Sequence, residues 1–393
     1  MSGIEHTPRQ ILVVDDEPDL ELLVRQRFRR QIREGEFEFF FSHNGEEALQ
    51  ALDGKPTIDL VLSDINMPVM DGLTLLGKLR ERAGVLRAVV VSAYGDMPNI
   101  RTAMNRGAID FLMKPIDFDD LEITIRKTLD HVAETRQSLK AQESLLAIRQ
   151  ELGVAARIQQ SILPCKFPPF PERRDFELHA SMIPAKEVGG DLFDYFLLDE
   201  DHLGLVLGDV SGKGVPAALF MAVSRTLLRA TALQKNEPGE CLRYVNATLA
   251  LQNPSHMFVT MFYGILNTRT GELRYAIGGH NPPYVYSADG KVRELPGDKN
   301  GMIVGLMDGA EFQTASHRIA PGEGLLVYTD GVTEAMDRAQ DFYGEAKLEA
   351  LLAECGGLPA DQLVGRVLGS VEEFAAGEPQ SDDITVMAMR YAG

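Results

Sequence analysis

Aspartates recur in this chain where a short apolar run ends, and aspartates gathered that way can do only a few kinds of chemistry. Asp15 and Asp16 follow Ile11-Leu12-Val13-Val14, and Asp64 follows Leu60-Val61-Leu62-Ser63. Ser92 closes the run Ala88 to Val91, and Lys114 closes Phe111-Leu112-Met113. Three carboxylates brought together repel one another and need a cation or raised pKa values. A hard divalent ion such as Mg2+ accepts carboxylate oxygens and keeps waters for a phosphate ligand. A carboxylate is also a nucleophile toward phosphorus. Lys114 would neutralise an incoming phosphoryl group, and the Ser92 hydroxyl would hydrogen-bond to it.

A second acidic set lies further along: Gly189-Gly190-Asp191-Leu192-Phe193-Asp194, Gly208-Asp209-Val210-Ser211-Gly212-Lys213-Gly214, Tyr328-Thr329-Asp330-Gly331, and Ser381-Asp382-Asp383-Ile384-Thr385. Asp-Gly after a strand is often only a turn. Four such sites without nearby metal-ligand histidines suit a centre of two Mg2+ or Mn2+ ions. Two metals roughly 3.5–4 Å apart activate a water and clamp a phosphate during in-line displacement. That chemistry needs no serine, cysteine or histidine nucleophile.

The elements that must position these residues are readable from the pattern. Short strands over Ile11–Val14, Glu38–Phe41, Leu60–Ser63, Ala88–Val91 and Phe111–Met113 alternate with helical segments. This predicts an α/β doubly wound parallel five-stranded sheet, whose ligands sit beyond the carboxyl ends of its strands. Asp119 to Leu163 predicts one long helix with apolar positions Ile125, Leu129, Val132, Leu139, Leu146 and Leu152. Its heptad is imperfect, placing Arg136, Glu143 and Gln150 at seam positions. After Pro164 the pattern becomes α+β. A hairpin is expected around Asp199-Glu200-Asp201, and a meander over Phe258–Leu266, Glu272–Ile277 and Tyr284–Tyr286. Helices are expected at 215–233, 238–251, 346–354 and 359–374. The expected division is 1–128, a helical, possibly coiled-coil linker 129–163, and 164–393.

Composition sets outer limits. The net charge of −19 disfavours nucleic-acid binding and docking to anionic membranes. Three scattered cysteines, Cys165, Cys241 and Cys355, fit a reducing cytosol, and the polar start Met1 to Gln10 does not read as a signal peptide. A cytoplasmic protein is expected.

The first set resembles the receiver domain of two-component response regulators over roughly residues 9 to 128. The resemblance rests on Val13-Val14-Asp15-Asp16, Leu62 to Pro68 with Asp71-Gly72, Ser92-Ala93 and Lys114-Pro115. It implies Asp64 as phosphoacceptor, and Mg2+ held by Asp15, Asp16, Asp64 and the Asn66 carbonyl. It also implies Ser92, Phe111 and Lys114 as switch residues. The second set resembles metal-dependent PPM (PP2C-type) serine/threonine phosphatases of the SpoIIE/RsbU-like branch over roughly 150 to 393. This implies a layered β-sandwich flanked by helices. Its metal ligands would come from Asp191 or Asp194, Asp209, the Val210 carbonyl, Asp330, Asp382 and Asp383, with a catalytic metal-bound water held by Asp209. The family's usual histidine is replaced by Lys213, which is expected to be solvated. His280, in Gly279-His280-Asn281-Pro282-Pro283, is read as a structural histidine rather than an acid/base.

Together these features predict a response regulator phosphorylated on Asp64 by a sensor histidine kinase and controlling a metal-dependent protein phosphatase. By resemblance its substrate is an anti-sigma-factor antagonist. A homodimer through the linker helix is expected, with no nucleic-acid or membrane partner. The alternative is a phosphorylation-controlled adaptor that binds a partner without catalysis.

Overall fold

A computed structural model describes residues 7–82, 84–93, 96–234, 237–251, 253–297 and 301–393. The polar start, Met1 to His6, lies outside the described residues. Chain contacts define two compact units, the first ending at Ala147 and the second beginning at Ile148.

In the first unit, β1 (Arg9–Val14), β2 (Phe37–Ser42), β3 (Leu60–Asp64), β4 (Arg87–Ala93) and β5 (Asp110–Lys114) alternate with five helices. These are α1 (Pro18–Arg27), α2 (Arg29–Arg33), α3 (Gly45–Gly54), α4 (Gly72–Arg80) and α5 (Met97–Asn105). The sheet is fully parallel in the order β2-β1-β3-β4-β5. It is the expected doubly wound fold. Its central strands are buried on both faces, which is why they read as continuous apolar runs. One face packs Leu12, Val14, Val61 and Val90 under α3 and α4, and the other packs Ile11, Val13, Leu62 and Val89 with Phe28.

The long helix α6 (Phe118–Ile162) is continuous, and its apolar stripe divides in two. Leu121, Ile125 and Leu129 join the second of those cores, and Val132 is also buried. Arg126 pairs with Glu36, Asp130 with Arg9 at 2.8 Å, and Arg136 with Asp59 at 2.6 Å. Arg136 is therefore not a free seam residue: the buried carboxylate of Asp59 claims it. From 137 to 151 every residue is exposed, including Leu139, Leu145, Leu146 and Ile148.

In the second unit, one antiparallel sheet contains β7 (Leu192–Leu197), β8 (His202–Val210), β9 (Val259–Asn267), β10 (Glu272–Gly278) and β13 (Ala315–Arg318). The other contains β6 (Phe176–Ile183), β11 (Tyr284–Ser287), β12 (Val292–Glu294), β14 (Glu323–Tyr328) and β15 (Ile384–Tyr391). Phe193, Leu207 and Phe262 of the first share a core with Leu325, Val327 and Met387 of the second. Helices α7 (Val215–Ala232) and α8 (Pro238–Ala250) cover the outer face of the first sheet. The short α9 (Asp330–Thr333), with α10 (Gly344–Cys355) and α11 (Ala360–Ala375), covers the second. This is the layered sandwich flanked by helices.

One expected feature is corrected. Tyr284–Tyr286 does not continue a meander from Glu272–Ile277. It crosses to the other sheet and pairs with β12 and β14. The intervening His280-Asn281-Pro282-Pro283 has two residues without N–H groups, so it cannot continue the ladder beside β10.

The division of α6 makes a prediction. Leu129→Ala should cost about 2–5 kcal/mol in the first unit, while Leu146→Ala should change it by less than about 0.5 kcal/mol. Hydrogen exchange of the β1–β5 amides under mild denaturant reads both.

Candidate functional site

In the first unit the carboxyl ends of β1, β3 and β5 meet as the fold requires. Lys114 Nζ lies 2.7 Å from Asp64 Oδ2, 3.0 Å from Asp15 Oδ2 and 2.9 Å from Glu17 Oε1. Burial alone would lower the Lys114 pKa, but its bonds to Asp64, Glu17 and Asp15 outweigh that and raise it. Burial likewise pushes the Asp15 carboxyl up, against the Glu17 N–H and Lys114. Asp15, Glu17 and Asp64 each offer an oxygen within 4.8 Å of the others, a set able to hold a cation.

Glu17 was absent from the sequence-based set. It follows the aspartate pair directly, just before α1 begins at Pro18, and reaches Lys114 from an exposed position. Asp16, expected in the cluster, is exposed and stands outside the Asp15–Glu17–Asp64 set. Asn66 donates its N–H to Asp64 Oδ1 at 3.2 Å. Ser92 is fully buried, with its hydroxyl 3.3 Å from Asp96, and Phe111 faces outward.

In the second unit four segments from both sheets converge. Asp191, just before β7, is 1 % exposed. Its Oδ2 accepts from Thr329 Oγ1 at 2.8 Å and from Thr385 Oγ1, and its Oδ1 is buried with no hydrogen-bond donor. The Asp209 carboxyl, near the end of β8, is within hydrogen-bonding reach of it. Burial and then the charge of Asp209 push the Asp191 carboxyl well above the usual range. Burial, then Asp330, pushes Asp209 up to about 8. Asp330, at the start of α9, is pushed up to about 6 by burial, Glu334 and Asp382. Gly331 follows it because a Cβ there would collide with the Asp383 carbonyl.

The two aspartates of the last segment do different things. Asp383 is buried, and its carboxylate accepts from Ala185 N–H at 2.8 Å, Gly190 N–H at 2.5 Å and, more weakly, Asp191 N–H at 3.4 Å. It shapes the loop that carries Asp191. Asp382 is half-exposed and pairs with Lys213 Nζ at 3.0 Å, and Lys213 also donates to the Ser381 carbonyl. Lys213 is thus not merely solvated. The reach from Asp382 was invisible in sequence because the two are far apart in the chain.

The structure also separates the two aspartates of the first acidic segment. Asp194 is fully buried and faces α7, where Arg229 Nη1 donates to both its oxygens at 2.9 and 3.0 Å and Arg225 lies 2.9 Å away. It lies on β7, three residues past Asp191, and turns to α7, whereas the Asp191 carboxylate meets Thr329 and Thr385. His280 is 2 % exposed, its Nδ1 2.8 Å from Thr260 Oγ1, and burial lowers it to about 4. It is neutral at physiological pH and closed to solvent, as a structural histidine should be. Thr329 and Thr385 were quoted in the sequence motifs without a role. The only local signal was a hydroxyl beside an aspartate.

The cluster fits a divalent cation. An acceptor-only oxygen is buried on Asp191, neighbouring carboxyls are pushed toward neutrality, and the donor set is oxygen.

Comparisons with known proteins match both parts of the chain. The response regulator receiver domain family matches residues 11–126, and the SpoIIE (stage II sporulation protein E) family matches 199–392. Asp191 precedes the second match. Protein IcfG of Synechocystis is 32 % identical over 275 residues, 61 % of this chain but 41 % of that protein. Phosphoserine phosphatase RsbU of Bacillus subtilis is 27 % identical over 244 residues, 62 % of this chain and 70 % of RsbU. The SiaA-PP2C domain of Pseudomonas aeruginosa superposes with a TM-score of 0.56 at 22 % identity, covering 63 % of this chain and 98 % of that one, a likeness of fold. Among the described residues, no helix is long and apolar enough to cross a membrane.

Two outcomes follow from the electrostatics. A carboxyl raised from 3.8 to about 8 makes the folded, metal-free protein bind more protons than the unfolded chain between those values. Stability therefore falls as pH rises through that window. Between pH 6.5 and 8, in chelator, the melting temperature should drop, and Asp209→Asn should flatten the slope. Asp194→Ala would strand the buried Arg225 and should cost about 3 kcal/mol, while leaving Mn2+ affinity, measured by calorimetry, unchanged.

Proposed function

Because this chain joins a response-regulator receiver domain to a phosphatase domain of the SpoIIE family, we propose that it is a metal-dependent protein serine/threonine phosphatase switched by phosphorylation of Asp64. The observation that carries this reading is the Asp209 carboxyl, which lies within hydrogen-bonding reach of buried Asp191 and is pushed up by the charges of Asp330, Asp382 and Asp383. Asp209, Asp191, Asp330, Asp382 and the Val210 carbonyl would hold two Mn2+ or Mg2+ ions. Asp194 is left out of the set, and Asp383 acts on the Asp191 loop. Bound cations supply charge neutralisation and a water of lowered pKa. The chain's own part is to orient. Thr329 and Thr385 fix the rotation of the Asp191 carboxylate, Asp383 fixes its backbone, and Lys213 restrains Asp382. The reaction is hydrolysis, in which water oxygen bonds to phosphorus and the bond from phosphorus to the serine or threonine oxygen breaks.

In the receiver domain a histidine kinase is the phosphodonor, and Asp64 takes the phosphoryl group. Asp15, Glu17, Asp64 and the Asn66 carbonyl would hold Mg2+, with Asp16 at the rim. Lys114 neutralises the new charge, while Ser92 and Phe111 answer it. The substrate is a phosphoserine or phosphothreonine protein, in keeping with the phosphoserine phosphatase among the relatives. An anti-sigma-factor antagonist is the proposed class. The exposed stretch of α6 is proposed to pair with a second copy, since a helix of that length is marginal unless its apolar stripe is covered.

The test measures Mn2+-dependent phosphate release from a phosphoserine protein, with and without beryllofluoride on the receiver. A rate change of at least several-fold is expected. Equal rates would overturn the switch, and full activity in Asp209→Asn would overturn the catalytic site.

A further inference from the structure

The last turns of α6 carry one polar side chain that is out of keeping with its surroundings. Gln159 is 7 % exposed, although its neighbours Ile158 and Gln160 face outward. Its Nε2 donates to the Gly189 carbonyl at 2.6 Å, and its Oε1 accepts the Gly189 N–H at 3.1 Å. One side chain therefore satisfies both backbone groups of one residue. A primary amide suits this task because it presents a donor and an acceptor side by side.

Gly189 is two residues from Asp191, and the loop between β6 and β7 that carries both has no regular structure of its own. It is held from two sides. Asp383 takes the N–H groups of Ala185, Gly190 and Asp191. Gln159 grips Gly189 from the helix. There is no slack between them: a Cβ at Gly189 would collide with Asp383 Oδ2 and approach Met182 Cε to 2.8 Å. Displacing the end of α6 must either break the Gln159 pair or drag Gly189, and with it the Asp191 backbone.

We propose that Gln159 is a positioning residue for the cation centre: by gripping Gly189 it sets the place of the Asp191 carboxylate, so that the last turns of the linker helix govern how tightly a divalent ion is held. The proposal rests on reading the acidic cluster as a metal site. It gives that site a direct mechanical link to the helix that begins at Phe118. The link runs through two hydrogen bonds rather than through the helices that follow Asp209.

The experiment is calorimetric titration of the full chain with Mn2+ alone, comparing the natural protein, Gln159→Met and Asp209→Asn. Methionine keeps the length and the helix preference and removes both hydrogen bonds. Gln159→Met should bind Mn2+ roughly tenfold more weakly, the scale of ordinary coupling between sites. Its phosphatase activity should fall at low Mn2+ and recover at saturating Mn2+, which a general loss of fold would not produce. Natural affinity in Gln159→Met, with affinity lost in Asp209→Asn, overturns the role of Gln159 alone. Natural affinity in Asp209→Asn overturns the metal site itself. If Gln159→Met does not melt cooperatively, Gln159→Glu replaces it, keeping the acceptor for Gly189 N–H and withdrawing the donor. Weaker binding then supports the proposal, and unchanged binding overturns it.

Discussion

Mutual repulsion of carboxylates held out of water is the constraint on which the second unit depends. Asp191, Asp209, Asp330, Asp382 and Asp383 come from segments of both sheets, and burial pushes up the carboxyls of Asp191, Asp209 and Asp330. An unpaired ion in a protein interior costs several kcal/mol even after relaxation. The chain meets that cost in several ways: hydroxyls from Thr329 and Thr385 on Asp191, backbone N–H groups on Asp383, and Lys213 on Asp382. A divalent cation would relieve the repulsion more fully than any of these, so the cluster amounts to stored affinity for one. The sandwich is the frame that makes such crowding tolerable. Its shared core of Leu207, Phe262, Val327 and Met387 locks the two sheets together behind the site.

The first unit solves a smaller version of the same problem. There Lys114 supplies the internal cation, placed among Asp15, Glu17 and Asp64 by the parallel register of β4 and β5 beside β3. Both acidic sites therefore use a lysine to restrain a carboxylate, and the lysines differ in burial: Lys114 is half-buried, while Lys213 is more exposed.

Between them, α6 is three helices in physical terms. Its first part belongs to the receiver core through Leu121, Ile125, Leu129 and Val132, and is fastened by Arg126 and Arg136. Its middle has apolar residues with nothing to cover them in a single chain. Its end is tied through Gln159 to the loop of Asp191.

Much of this was legible in the chain. Strand identity, the order of strands and helices, the continuous helix and the acidic strand ends are local properties, set by apolar periodicity and by which residue follows a strand. The meander across Tyr284–Tyr286 failed because the pattern of a strand says nothing about which sheet it joins. Glu17 escaped notice because a carboxylate at a helix start looks like ordinary capping until Lys114 is found beside it. Asp191 and Asp194 were indistinguishable as letters, and the structure divides them, one toward Asp209 and one toward Arg225 and Arg229. By itself the sequence determined which acidic groups stand at the ends of strands. Only the tertiary structure decided which of them meet and what restrains each, because those contacts join residues as distant as Asp191 and Thr385, which are 194 positions apart and carry no local trace of one another.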